Sequence, residues 1–122
     1  MSGKRRVVVT GLGVISPVGN NVPSAWAALL AGKSGVGPIT RFDASALHCR
    51  IAGEVKGFDV TSVMSAKEAR RLDTFIHYGV AAATEALRDC GLEVTDANRD
   101  RIGCVIGSGI GGLPMIEETH ND

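Results

Sequence analysis

Two runs of consecutive apolar residues dominate the hydropathy pattern of this chain. The first lies within residues 6–10 and contains three valines in a row, and the second, residues 101–107, reads Arg-Ile-Gly-Cys-Val-Ile-Gly. Neither run alternates with polar residues, which is typical of strands buried on both faces of a parallel sheet. Because the first run leads through Gly11 and Gly13 towards a predicted helix, the pattern predicts an α/β fold.

The first predicted helix covers residues 24–31, where apolar side chains recur at a spacing of three and four. Asn20 or Asn21 is the expected N-cap, with Pro23 in the first turn. Gly32 is expected to end the helix as its C-terminal glycine.

Two further helices are predicted in the middle of the chain. Ser65 and Glu68 form a capping-box pattern that opens a short helix ending near Leu72. Residues 74–90 carry apolar residues at intervals of four, three, four and three, with alanines on the flanks, which predicts a mostly buried helix. Gly91 is expected to end it.

Less regular stretches separate these elements. Residues 33–47 are rich in Gly, Pro, Ser and Asp and are predicted to form a loop, whereas residues 50–55 predict a short strand. Residues 96–100 form a polar connection, and the last ten residues resemble the start of a helix. Two clear strands and a weaker one are too few for a complete two-layer α/β domain, so we expect the front part of a longer protein.

The composition of the chain limits the classes of protein to which it can belong. The 122 residues leave room for one domain, and 13 basic residues balance 13 acidic ones, so the overall charge does not indicate nucleic-acid binding. Cys49, Cys90 and Cys104 form no Cys-x-x-Cys pair, which argues against a disulfide framework or zinc site and fits a reducing cytoplasm. The sequence contains no pattern typical of a signal peptide or membrane span.

Two glycine patterns raise the alternative of nucleotide binding. Gly11-x-Gly13 follows a predicted strand, but Ser16 stands where a dinucleotide fingerprint needs its third glycine. Residues 27–34 match a loose phosphate-loop pattern on the end of a predicted helix, where a helix start is required. We therefore expect neither motif to bind a nucleotide; a dehydrogenase remains a third alternative that a nicotinamide titration would test.

A basic cluster, defined as Lys67, Arg70 and Arg71, is spaced to share one helix face. Three cations together could attract an acidic partner. The spacing alone favours the alternative that they pair locally with Glu68 and Asp73 on a solvated surface.

None of the three cysteines is a persuasive nucleophile on sequence grounds. Cys90 falls on a helical apolar stripe and Cys104 within a predicted buried strand, where cysteine is usually a packing residue. His48 precedes Cys49, but neighbours on a strand point to opposite faces. After the second apolar run, a glycine-rich segment, residues 107–112, indicates close backbone approach to another surface, with a flexible turn as the alternative. Its single bulky residue, Ile110, suits a pocket or an interface.

Several segments, in order and without large gaps, resemble the N-terminal part of the β-ketoacyl-acyl-carrier-protein synthase II family, condensing enzymes of the thiolase superfamily. The matching segments are residues 5–20, 26–35, 42–43, 67–73 and 101–112. The resemblance implies a partial thiolase-like fold within a layered α/β/α/β/α homodimer, with residues 1–122 as the N-terminal part of a synthase domain. We expect the two apolar runs to lie side by side in one half of that fold.

The resemblance also implies an activity. In this family an acyl chain is loaded onto a cysteine, malonyl-carrier protein loses carbon dioxide, and the carbanion attacks the thioester, without a metal or cofactor. The expected partners are acyl- and malonyl-loaded acyl carrier protein, in the cytoplasm, with no nucleic acid or membrane. The family's cysteine motif comes after the point where this sequence ends, and His48, His77 and His120 do not match its histidine motifs, so the fragment alone is expected to be inactive.

Four residues match functional positions of the family. Lys67, Arg70 and Arg71 match basic positions that contact the acidic carrier protein, which reverses the preference for local pairing. Ile110 matches a residue that lines the acyl-chain pocket near the dimer interface.

Two alternatives to this interpretation stay open. A polyketide chain-extending ketosynthase shares these motifs, and the acyl-chain preference of the full-length protein would separate it from a fatty-acid enzyme. A non-enzymatic binding or dimerisation module would use the same piece of fold without chemistry, and it predicts a gene that ends at Asp122.

Overall fold

The computed structural model describes residues 3–121. Within that range it contains four α-helices, two strands and two 3-10 turns. In chain order these are α1 (Val22–Leu30), β1 (Val36–Pro38), β2 (Ile51–Gly53), the turn Val60–Ser62, α2 (Ala66–Ala69), α3 (Thr74–Cys90), the turn Arg99–Arg101 and α4 (Leu113–Asn121).

The predicted caps of α1 are confirmed. The Asn21 side chain accepts a hydrogen bond from the Ser24 backbone N–H at 2.8 Å, which satisfies a donor that has no partner inside the helix. Gly32 follows the helix with φ +62°, a conformation that favours glycine. The helix begins at Val22, two residues before the predicted start.

The middle helices follow the prediction closely. Ser65 and Glu68 form both bonds of the capping box at the start of α2. The helix ends at Ala69, three residues earlier than predicted. Helix α3 has the predicted bounds and ends at Gly91, whose φ is +62°.

Strand β2 confirms the predicted strand, but its partner was not predicted. Strand β1 pairs with it antiparallel, with Val36 opposite Gly53 and Pro38 opposite Ile51, and lies in the stretch predicted as a loop. A sequence of Val-Gly-Pro has little strand character, because glycine and proline are depleted in strands. Pairing to β2 rather than local propensity therefore makes β1 a strand.

The prediction that the two apolar runs form buried, adjacent strands is wrong for the structure described. Residues 6–10 and 101–107 belong to no ladder within residues 3–121. Val7 is 94% exposed and Val105 is 98% exposed. A strand is stable only when a neighbouring strand pairs with its backbone, and among the residues described no strand pairs with either run.

The glycines that follow the first run and the residues at the end of the second run lie against opposite halves of α3. Gly11 and Gly13 lie so close to its C-terminal half that a Cβ on Gly13 would stand 1.9 Å from the Ala82 carbonyl oxygen. At the other end, residues 106–108 line a groove with the N-terminal half of α3. Helix α3 is therefore the element against which residues 11–13 and residues 106–108 both lie.

The buried core is small, and α3 is less buried than predicted. Among the residues described, only Ala25, Ala28, Ala44, Ala81 and Gly35 are buried, and Ala81 is the single buried position of α3. The chain exposes 10036 Å². A compact monomer of its mass would expose about 6,200 Å². Much of its apolar surface thus lacks a partner within these residues.

Candidate functional site

The basic cluster lies on the surface around the end of α2. Lys67 belongs to the helix, Arg70 is its C-cap and Arg71 follows directly, and all three side chains are exposed. Lys67 and Arg71 line one shallow depression together with Ser65 and Glu68. The three cations thus lie within five consecutive residues, and their side chains are exposed to solvent.

The nearby carboxylates are engaged elsewhere. Glu68 accepts hydrogen bonds from the Ser65 backbone N–H at 3.0 Å and from the Ser65 hydroxyl at 2.6 Å. Asp73 caps α3 through the Thr74 N–H and accepts from the Met115 N–H at 3.4 Å. Within residues 3–121 ion pairs are found only between Arg99 and its neighbours Asp96 and Asp100. Local pairing therefore does not neutralise the basic cluster.

The capping box depends on the charge of Glu68. Hydrogen bonds from the Ser65 side chain, and then from its backbone, lower the pKa of the Glu68 carboxyl below its ordinary value. Because the folded pKa is lowered, the stabilisation is fully present above the ordinary pKa of 4.5 and is lost as the pH falls through the folded value. The start of α2 is consequently well defined at neutral pH.

Ile110 lies in the glycine-rich segment that precedes α4, and its side chain is 75% exposed. The backbone beside it runs close to the start of α3. A Cβ on Gly111 would stand 3.3 Å from the Phe75 ring, and one on Gly112 would overlap the Asp73 carboxylate. This confirms the close backbone approach predicted for the segment, at Gly111 and Gly112. Ile110 and the basic cluster therefore both adjoin the N-terminal end of α3.

Two carboxylates of α3 were not predicted to matter. Glu85 accepts hydrogen bonds from the backbone N–H groups of Val14 at 3.0 Å and Val22 at 2.7 Å, and Asp89 accepts from that of Leu12 at 2.8 Å. These hydrogen bonds hold residues 12–14 and the start of α1 against α3. The available clue was two acids four residues apart on one side of an otherwise apolar helix.

The cysteines show no catalytic arrangement. The Cys90 thiol donates to the Leu87 carbonyl within α3, as a packing residue does, and the Cys49 thiol donates to the Ile51 carbonyl at 3.5 Å. Cys104 is exposed, so its predicted burial is wrong, because the run that contains it has no strand partner. In the range 3–121 all three thiols are free, and no group of three or more His, Cys, Asp or Glu residues could hold a metal ion.

The nucleotide patterns are explained by packing. Gly11 and Gly13 lie against the backbone of α3, which leaves no space there for a pyrophosphate. The phosphate-loop match ends α1, where the helix carbonyls rather than its N–H groups point outward. For the residues the structure describes, no helix has the length and apolar character needed to cross a bilayer.

Comparison with known proteins gives consistent matches. The family model described as "Beta-ketoacyl synthase, N-terminal domain" matches residues 4–122. A "3-oxoacyl-[acyl-carrier-protein] synthase 2" from Vibrio cholerae is 59% identical over 117 residues, covering 96% of this chain and 28% of that protein. Proteins of the same name from Synechocystis and Staphylococcus aureus (strain N315) are 51% and 45% identical, over 96% and 98% of this chain and 28% and 29% of their own lengths.

A solved structure also matches. "The ishigamide ketosynthase/chain length factor" aligns with a TM-score of 0.65 and 42% identity, over 73% of this chain and 22% of that one. The chain thus spans less than a third of the length of each of these proteins.

Proposed function

The chain belongs to the β-ketoacyl synthase family, and on that premise we propose that the protein it forms part of is a β-ketoacyl-acyl-carrier-protein synthase of type II fatty acid synthesis. Its fold is a part of the thiolase-like α/β fold of ketosynthases. The observation that carries the proposal is the 59% identity over 96% of this chain to a 3-oxoacyl-[acyl-carrier-protein] synthase 2. Residues 1–122 would form the N-terminal part of the synthase domain.

The proposed reaction is a decarboxylating Claisen condensation. A cysteine thiolate attacks the thioester carbonyl of an acyl-carrier protein, and the carrier thiol leaves. Malonyl-carrier protein then loses carbon dioxide, and the electron pair of the broken bond becomes a carbanion. The carbanion attacks the enzyme-bound thioester, the carbon–carbon bond forms, and the cysteine thiolate is expelled. A helix N-terminus lowers the pKa of a thiol, and neither Cys49, Cys90 nor Cys104 lies at one, so the nucleophile is proposed to be another cysteine of the protein.

The basic cluster is proposed to dock the carrier protein. Its three charges are exposed and without an ion pair among the residues described, so they are available to carboxylates of an acidic partner. The neighbouring Ile110 is proposed to line the acyl-chain pocket. The two proposals fit each other, because a carrier bound at the start of α3 would deliver its acyl chain close to that residue.

A homodimer in the cytoplasm is part of the same proposal. The exposed area of 10036 Å² and the exposed runs around Val7 and Val105 leave apolar surface for the rest of the protein and for a second subunit.

The proposal is tested with the full-length protein, purified and supplied with acyl- and malonyl-carrier protein. We expect carbon dioxide and a 3-oxoacyl-carrier product, and a variant with Cys49, Cys90 and Cys104 all replaced by serine should keep most of this activity. Absence of condensation by a folded wild-type protein would contradict the proposal, and loss of acyl-enzyme formation in the folded triple variant would contradict the placement of the nucleophile.

Substitution of Ile110 tests the pocket. Ile110→Phe is expected to shorten the longest acyl chain that the enzyme elongates, because the larger ring removes pocket volume. The measurement is the distribution of product chain lengths by mass spectrometry. Ile110→Leu, which conserves volume, is the matched control and should leave the distribution nearly unchanged. An identical distribution for wild type and the Phe variant would place Ile110 outside the pocket.

A polyketide chain-extending ketosynthase is the second candidate, favoured by the structural match to a ketosynthase/chain length factor at 42% identity. We rank this candidate second because the curated synthases from Vibrio cholerae and Synechocystis are more similar to this chain, at 59% and 51% identity. Acyl substrates separate the two candidates, because a fatty-acid enzyme elongates saturated chains, whereas a polyketide enzyme would prefer chains that keep their oxygen or double bonds.

A further inference from the structure

His77 connects α3 to the end of α2. The Nε2 atom of this half-buried side chain lies 3.0 Å from the carbonyl oxygen of Ala69, the last residue of α2. A carbonyl oxygen can only accept, so Nε2 carries the proton and donates it. The contact joins residues that are eight positions apart and belong to two different helices.

The bond falls at the C-terminal end of α2, which is a short helix. The helix has four residues, too short to be stable in isolation, and its start is already fixed by the capping box. At its end, Arg70 and Arg71 donate their backbone N–H groups back to the carbonyls of Ala66 and Glu68. The Ala69 carbonyl accepts from the Leu72 N–H at 3.3 Å, and its second lone pair is available to a side-chain donor. His77 supplies that donor from the second turn of the long helix α3.

The geometry points to His77 as a positioning residue for the carrier protein, an inference that rests on the proposed function. By holding the Ala69 carbonyl, His77 fixes the direction of the chain as it leaves α2, and so fixes where Arg70 and Arg71 project. Two of the three docking charges come directly after the bonded carbonyl. Preorganised charges bind a partner better than the same charges on a mobile turn, because less conformational entropy is lost on docking.

The test separates carrier recognition from chemistry. In the full-length synthase, His77→Leu is expected to raise KM for acyl-carrier protein roughly two- to ten-fold, the effect of losing one hydrogen bond. Both kcat and KM for a short acyl-pantetheine thioester, which has no carrier to dock, should stay unchanged. Amide hydrogen exchange of residues 66–71 should become faster. His77→Gln is the matched control, because its amide N–H can donate to the same carbonyl, and it should restore KM.

Two further results would overturn the inference. Equal changes with carrier-bound and pantetheine substrates would show a general structural defect, and unchanged KM with unchanged hydrogen exchange would show that the bond positions nothing. Charge reversal of the basic cluster, assayed in parallel, locates the failure. If it raises KM and His77→Leu does not, the positioning role alone is wrong; if neither does, the docking proposal is wrong and the role of His77 with it.

Discussion

Reversing the basic cluster to glutamate at Lys67, Arg70 and Arg71 is expected to raise KM for carrier-bound substrate about tenfold or more in the full-length enzyme. Exposed ion pairs contribute about 0.2–1 kcal/mol each, and a reversed charge adds repulsion to the lost attraction. The three side chains are exposed and make no ion pair among the residues described, so the fold should not depend on their charge. Steady-state kinetics with acyl-carrier protein measure the effect.

The ionic strength of the assay provides an internal check. Screening weakens exposed charge pairs, so the wild-type KM should rise with salt and approach that of the variant. Lys33 and Lys56, which are also exposed, offer a matched control. Reversing both lowers the net charge without touching α2, and KM should change little. An unaltered KM in the cluster variant, or an equal rise per charge in the control, would remove the docking role.

Replacing Gly13 with alanine is expected to cost several kcal/mol of folding free energy. The added Cβ would stand 1.9 Å from the Ala82 carbonyl oxygen and 2.9 Å from the Ala86 backbone nitrogen, far inside van der Waals contact. Both atoms belong to the backbone of α3, so neither can rotate away as a side chain could. Overpacking typically costs about 1–3 kcal/mol, and backbone atoms on the other side place this site at the upper end or above.

The measurement is the thermal or denaturant midpoint of the full-length protein. Gly37→Ala is the control, because a Cβ there meets nothing within 4 Å and its backbone is not left-handed. Its midpoint should stay close to that of wild type. A Gly13→Ala protein with an unchanged midpoint would show that residues 11–14 do not lie against α3. The same substitution tests the sequence pattern, since a nucleotide loop would lose ligand affinity rather than stability.

The helices could be predicted from sequence because their determinants are local. Asn21, the Ser65 and Glu68 pair, and Gly91 each cap a helix through atoms within a few residues, and the structure has all of these caps. The alanine-rich periodicity of α3 was similarly sufficient to give its bounds. Such features depend on residues close together in the sequence and not on distant parts of the chain.

The strands could not be predicted in the same way, because a strand is defined by its partner. Val7–Val9 has strong strand character and no ladder within residues 3–121, whereas Val36–Pro38 has little and pairs with β2. For the candidate site, the basic cluster and Ile110 were proposed from sequence, but the packing of Gly111 and Gly112 against Phe75 and Asp73 required coordinates. The hydrogen bond between His77 and Ala69 also could not be predicted, because nothing in the sequence links the two residues.

The two exposed apolar runs have a consequence for how such a protein is made. The matched part is 28% of the Vibrio cholerae relative, which is a longer protein. Translation adds about 5–20 residues per second, so a segment whose partners are synthesised much later stays exposed for many seconds. During that interval Val7–Val9 and Ile102–Ile106 are exposed apolar segments of high β-propensity, which are prone to aggregate. Lys4, Arg5, Arg6 and Arg101 flank these runs, and charged residues in such positions oppose aggregation.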